Sequence, residues 1–305
     1  MSAPLTSARA HAGMLLWALL VGLSFPAVGL MSALPPLLLT ALRFAIACAG
    51  LWWLARRSPS FVPAWRVLPL YALMGLCLAG FFGAMFWAAH HATALSMATL
   101  YVCVPLLAFL LGLGFRVEQA GWRLPAILAL GAAGALGLAL AEAYQQGGRL
   151  SVGKGEVVFF LGCVSTALYP VLSKWGLATG RLPASAAVRT FWSLGLGGVL
   201  IGLVGLALEP LGRLAEMTAS DLLLLVYLGL FSSALTFWLM QRATAALTPG
   251  AVTAYGYLVP FVSMLLLFIQ TPERIDWVWV PGSLAVLVAM ALLMQRNGNS
   301  HAAAD

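Results

Sequence analysis

Ten apolar runs, each close to the length that crosses a bilayer, follow one another with only short polar or Pro/Gly breaks between them. A helical span needs about 20 apolar residues. In lipid every backbone N–H and C=O must find its partner within the chain, so such runs form α-helices. They are expected at about 12–33, 34–55, 66–89, 92–115, 123–141, 155–175, 184–207, 220–241, 246–270 and 277–294. Of the 305 residues, 62% are hydrophobic and 8% charged, against about a quarter charged in an ordinary soluble domain. The expected fold class is an all-α integral membrane protein with ten transmembrane helices and little chain left for an extramembrane domain. Arg9 ahead of the run from Gly13 to Leu34 has the form of a secretory signal. More spans follow at once, which favours an uncleaved first helix.

The net charge is +7, yet the basic residues sit singly or in pairs between apolar runs. They are topology signals rather than a polyanion site, and no nucleic-acid partner is expected. With both termini in the cytoplasm, the inside segments hold Arg9, Arg56, Arg57, Arg66, Arg116, Arg123, Lys174, Arg181, Arg242 and Arg296. The outside segments hold Arg149, Lys154, Arg213 and Arg274. Ten against four follows the positive-inside rule, so both termini are expected in the cytoplasm and the chain in a cell inner membrane. The acids lean outward, with only Glu118 and Asp305 inside. Cys48, Cys77, Cys103 and Cys163 lie within apolar runs without CxxC spacing, so buried thiols are expected rather than a disulfide framework or a zinc site. The glycine-rich stretches Gly131 to Gly137 and Gly195 to Gly205 have the small-residue spacing of close helix packing.

The second half of the chain repeats the first. "SFPAV" aligns with "LYPVL", Pro26 on Pro170, and "ALRFA" with "AVRTF", Arg43 on Arg189. "FWAAHHATA" aligns with "FWLMQRATA", Trp87 on Trp238, and Pro105, Glu118 and Trp122 fall on Pro260, Glu273 and Trp277. The offsets rise only from 144 to 155, as small loop insertions produce. Each repeat has five spans, an odd number, so the second copy enters the membrane in the opposite orientation. Inverted-topology repeats of this kind are a recurring construction in secondary transporters, with the substrate site near the midplane. The expected organisation is an N-terminal tail at 1–11, repeats at 12–145 and 155–294, and a C-terminal tail at 295–305.

"LPPLLLTALRF", the Pro…Glu…Trp element of spans four and five, and its second copy "VPFVSMLLLFIQTPERIDW" resemble the two EamA repeats of the drug/metabolite transporter superfamily. The resemblance covers nearly the whole chain and implies a ten-helix exporter of amino acids or other small metabolites. In span one this chain reads Val21-Gly22 with Trp17 a turn earlier, where the family often shows Trp-Gly. Pro272 precedes Glu273, where the family usually has glycine.

Arg43 and Arg189 are the basic residues of span interiors, and no acid lies deep in an expected span. Charge at the bilayer centre costs about 3 to 10 kcal/mol, so each guanidinium must face protein or water. Backbone carbonyls at helix C-termini are one partner, a substrate carboxylate or phosphate the other. A structural or gating role is expected for both, fastening the two halves. Among interior aromatics, Trp87, Tyr101, Trp238 and Tyr255 are expected to line the cavity, because proteins this chain resembles use spans three, four, eight and nine for that purpose. Trp17 and Tyr169 are further candidates. An uncharged aromatic cavity suits an amphiphilic solute. His91 beside His90 is a candidate proton-linked gate at the end of span three. Pro26, Pro105, Pro170 and Pro260 each remove a backbone hydrogen bond within a span and are candidate hinges.

Two rival classes are distinguishable. An intramembrane serine hydrolase would pair Ser24 with a histidine, but nothing in the sequence brings them together, and duplicated halves are unexplained by it. A non-transporting assembly protein would show no saturable flux. No phosphate-binding loop is present. The expectation is a transporter and not an enzyme, without cofactor or metal. Its partners are a small-molecule substrate and the lipid bilayer, and a monomer is expected.

Overall fold

The computed structural model describes residues 6–31, 34–146, 150 and 153–302. Its ten long apolar helices are α1 (Ser7–Leu30), α2 (Pro36–Arg56), α3 (Trp65–Ala88), α4 (Ala94–Gly114), α5 (Arg123–Gln145), α6 (Lys154–Ala178), α7 (Ala186–Leu208), α8 (Ala219–Ala246), α9 (Pro249–Gln270) and α10 (Trp277–Arg296). Among the described residues there is no β-strand.

Helix starts follow local capping chemistry. Thr93 and Ser185 accept the backbone N–H of Ser96 and Val188 at 3.1 and 3.4 Å. Thr218 and Asp221 form a reciprocal capping box ahead of α8. Gly180, at φ +66°, ends α6 in the left-handed conformation that glycine adopts without steric cost.

Three boundaries differ from the sequence expectation. Helix α1 starts at Ser7, because the Ala-rich segment ahead of Gly13 is itself helix-forming, so part of the expected N-terminal tail is helical. Helix α5 continues past Ala141 through Glu142 and Gln145. Helix α8 runs on to Ala246, carrying the polar Gln241 into the protein interior rather than to an interface.

Apolar side chains cover the outer helix surfaces as well as the core, and the buried polar groups are gathered between helices. Leu15, Leu19, Leu203 and Leu284 lie exposed on the helix surfaces, while Arg43, Arg189, Gln241, Ser193, Thr190 and Thr244 are buried. A chain solvated by lipid gains nothing by hiding leucine, and its polar groups must find one another. One core cluster joins α2, α3, α6 and α7 around Phe44, Tyr71 and Leu194. Another joins α1, α5, α9 and α10 around Met14, Leu128, Tyr257 and Val286. Glycine lets two of these interfaces close to backbone contact. A Cβ on Gly75 of α3 would lie 2.7 Å from the nitrogen of Gly197 in α7, and one on Gly134 of α5 would lie 2.9 Å from the Gly282 carbonyl of α10.

The principal interfaces come in matched sets when each helix of the first five is paired with the one five further on. Contacts α3–α7, α3–α6 and α4–α6 have counterparts in α8–α2, α8–α1 and α9–α1. Contacts α2–α7, α5–α10 and α4–α9 map onto themselves.

Two helices are broken at matched places. Proline has no N–H, and its ring collides with the carbonyl four residues earlier. In α4 the helix interrupts at Val102–Cys103 ahead of Pro105, and in α9 it tightens to a 3₁₀ turn over Ala254–Tyr257 ahead of Pro260. Helices α1 and α6 run through Pro26 and Pro170 without a break.

Candidate functional site

Arg189 sits on the first turns of α7, fully buried, and every nitrogen of its guanidinium donates a hydrogen bond. Nη1 donates to the carbonyls of Pro183 and Ala184 at 2.7 and 2.9 Å, and Nε donates to Gln241 Oε1 at 3.0 Å. Nη2 donates to the Gln241 backbone carbonyl. Gln241 is held in turn, accepting from Ser173 Oγ at 2.6 Å and donating from Nε2 to the Tyr169 hydroxyl at 2.8 Å. Ser193 donates to the Arg189 carbonyl at 2.8 Å, which makes Tyr169 the donor in its 2.9 Å contact with Ser193. The network ties α6, α7 and α8 together through neutral acceptors.

Arg43 is placed differently. It lies midway along α2 at 7% exposure, and its neighbour is a π-helical turn, Leu230–Leu235, inside α8. Such turns insert one extra residue and recur at functional sites. Here the turn presents two consecutive serines to one nitrogen, although neighbours on an α-helix diverge by about 100°. Nη2 donates to Ser233 Oγ at 3.2 Å and Ser232 Oγ at 3.4 Å. Thr236 Oγ1 donates to the Ser232 and Ser233 carbonyls at 2.8 and 3.2 Å, serving the acceptors that the widened turn holds poorly. Arg43 Nε is buried without a partner, and the Phe82 ring lies 5.8 Å from the guanidinium carbon.

The aromatic candidates separate into two groups. Trp17 is buried in the core cluster of α1, α5, α9 and α10. Tyr255 is fully buried with its hydroxyl bonded to His11 Nδ1, and Tyr169 belongs to the Arg189 network. By contrast Tyr101, half-buried, meets Phe81 at 6.0 Å between ring centres. Trp238 is half-buried with the Arg242 guanidinium 4.7 Å above its ring. Trp87 is exposed at the end of α3 and stacks on His91 at 3.9 Å. His91 and His90 each turn Nδ1 to a carbonyl of their own helix, Trp87 and Phe86, at 2.8 and 3.0 Å. Ser24 donates to the Val21 carbonyl at 2.7 Å rather than to a base. The four cysteines are free; Cys77 and Cys163 are buried, whereas Cys48 and Cys103 retain partial exposure at helix interfaces.

Two carboxylates cap helices across the molecule. Glu209, just past α7, accepts the N–H groups of Leu37 and Leu38 at 2.8 and 2.9 Å, where α2 begins with otherwise unpartnered donors. Glu118, in the segment after α4, accepts the Gly250 N–H at the start of α9 at 3.1 Å. Burial pushes the Glu118 carboxyl above its ordinary range, opposed by nearby donors, the Gly250 N–H among them, and by the charge of Arg296. A cavity of about 180 Å³ opens between α1, α5, α9 and α10, lined by Gly22, Pro26, Glu142, Pro260, Gln270 and Trp279 among others. It brings two of the candidate hinge prolines to one space.

Sequence reasoning singled out both arginines but missed Gln241, Ser232, Ser233 and His11. Serine and glutamine in an apolar run carry no signal by themselves. The available clue to Gln241 was its position three residues after Trp238 in a span, where an amide must find partners.

Ten long apolar helices, with a few polar networks buried among otherwise apolar interfaces, define a multi-pass membrane protein. Residues 153–295, covering α6 to α10, match the model of the EamA-like transporter family. The uncharacterized inner membrane transporter YedA of Escherichia coli (strain K12) is 28% identical over 268 residues, covering 85% of this chain and 81% of that protein. A WAT1-related chloroplastic protein of Arabidopsis thaliana is 25% identical over 251 residues, 80% of this chain. The match spans 58% of that relative's length, less than two thirds. A solved crystal structure of a protein superposes with a TM-score of 0.77 over 95% of this chain and 98% of its own, at 22% identity, which speaks to the fold alone. The second half of the chain thus matches an EamA-like transporter domain, and over most of its length the chain is similar to membrane transporters.

Proposed function

We propose that the chain exports small amphiphilic metabolites, most simply amino acids or related compounds, across an inner membrane by alternating access. The site lies at a midplane cavity between two inverted repeats, 12–145 and 155–294, with both termini cytoplasmic. The observation that carries this reading is the matched packing, in which α3–α7, α3–α6 and α4–α6 recur as α8–α2, α8–α1 and α9–α1. A two-fold relation between halves produces such a map, and two similar halves can close against each other on either side. The inner-membrane assignment leans on YedA and on the positive-inside bias.

Within this reading, recognition falls to rings that keep accessible surface: Tyr101 and Trp238, with Trp87 and His91 at the outer end of α3. Tyr255, Tyr169 and Trp17 support the wall from behind, since the polar atoms of both tyrosines are already engaged. Pro105 and Pro260 sit where α4 and α9 are already interrupted, so these helices bend most cheaply when the halves rock. Pro26 and Pro170 contribute flexibility within continuous helices. Arg189 fastens α6, α7 and α8.

Counterflow in proteoliposomes tests the proposal across amino acids, amines and nucleosides, with and without a pH gradient. Saturable flux for one class is expected, and its absence for every class would overturn transport.

A further inference from the structure

Arg43 and Arg189 occupy matched positions of the duplication, yet only one is satisfied. Arg189 donates four hydrogen bonds to neutral acceptors. Arg43 donates two, both from Nη2 and both longer than the 2.7–2.9 Å usual for charge-assisted bonds. Among the described residues Nε has no acceptor although buried, and both Arg43 hydrogen bonds come from Nη2, none from Nη1. Among the described residues no carboxylate pairs with it. A guanidinium at bilayer depth with an idle donor edge is costly to hold.

We propose that Arg43, Ser232 and Ser233 form a carboxylate-binding site, which takes organic monocarboxylates with an apolar or aromatic body. The idle Nε–H and Nη1–H groups supply charge-assisted donors to carboxylate oxygens, while Nη2 stays with the serines. The Ser232 and Ser233 hydroxyls accept from Nη2 and keep their own protons to donate to the anion. The π-turn of α8 is what brings both hydroxyls to one place. Phe82 lies beside the guanidinium, stacked with Phe86 at 6.3 Å and edge-on to Phe44 at 5.5 Å, a ring surface for the body of the ligand. No acid stands by to receive an ammonium group, so the site selects for the anion. This deepens the transport reading and rests on it for its biological use, but the binding chemistry is independent of flux.

The test is calorimetric binding to the purified full chain in detergent, using three probes with the same body: 3-phenylpropionate, 3-phenylpropanol and 2-phenylethylamine. The acid binds the wild type most tightly, and Arg43→Gln weakens it roughly tenfold or more, to the level of the alcohol. The variant's unfolding temperature is recorded alongside. Where Arg43→Gln is not recovered folded, the Ser232→Ala/Ser233→Ala double variant replaces it, with a several-fold loss expected for the acid and none for the alcohol. Wild-type affinity for the amine or alcohol equal to that for the acid overturns the site. So does undiminished acid affinity in the folded variant used, or no acid binding by the wild type. A protein that binds the acid but moves no solute in counterflow loses the transport reading and keeps this one. One that moves an amine while ignoring the acid does the reverse.

Discussion

Arg43 and Arg189, which align between the two halves of the sequence, have opposite hydrogen-bond balances, and that difference sets what their loss costs. Removing the Arg189 guanidinium strands the Pro183 and Ala184 carbonyls and undoes the anchor of Gln241, with which Tyr169, Ser173 and Ser193 are connected. Each buried acceptor left unmade costs roughly 1–3 kcal/mol. Arg189→Gln is therefore expected to lose several such increments, seen as a large fall in unfolding temperature in detergent. Arg43→Gln, which gives up two long bonds and a desolvated charge, changes that temperature little or raises it. Equal losses in the two variants would sink the distinction. The arginines themselves were legible, because charge in an apolar run is conspicuous. Their partners were not, because Ser232 and Ser233 converge on Arg43 only through a π-turn that no residue pattern announces.

Helices were the most legible element, since apolar run length and Pro/Gly punctuation follow from bilayer thickness and backbone chemistry. The interruptions in α4 and α9 followed from Pro105 and Pro260, whereas α1 and α6 absorb Pro26 and Pro170 without a break. Gly134, in a stretch flagged as a packing surface, and Gly83, outside both stretches, differ by context. Gly134 faces backbone atoms, with Val286 nitrogen 2.7 Å from an added Cβ, whereas Gly83 in α3 has nothing within 4 Å. Gly134→Val must push α5 and α10 apart and is expected to cost about 1–3 kcal/mol or more. Gly83→Ala fills open space and relieves the backbone entropy of glycine, a gain of roughly 0.5–1 kcal/mol. Opposite shifts in unfolding temperature are the expected pair of results, and a stabilising Gly134→Val would contradict the contact between these helices.

At the scale of the whole molecule, colinear matches between the two halves were legible in the sequence, but the use of its acids was not. Counted as topology signals, Glu118 and Glu209 instead cap helices of the opposite half, Glu209 on α2 and Glu118 on α9. Under the proposed topology these clamps lie on opposite membrane faces, so rocking would open them in turn. Glu118 faces the Gly250 amide and Thr248, with the charges of Arg296 and Lys174 nearby, and burial holds its carboxyl above the ordinary range. The clamped state therefore holds its proton more firmly than an opened or unfolded chain. In the window between the ordinary value, about 4.3, and the raised one, the folded state binds more protons, so this group's contribution falls as pH rises. Above the raised value it levels off. Glu118→Gln still accepts the Gly250 N–H through its amide oxygen but carries no titrating charge. Relative to that variant, the wild type is expected to lose unfolding temperature as pH is raised from about 4 to about 7. Subtracting the two curves removes the opposite slope of the other carboxylates, and parallel curves would show that Glu118 is not the titrating clamp.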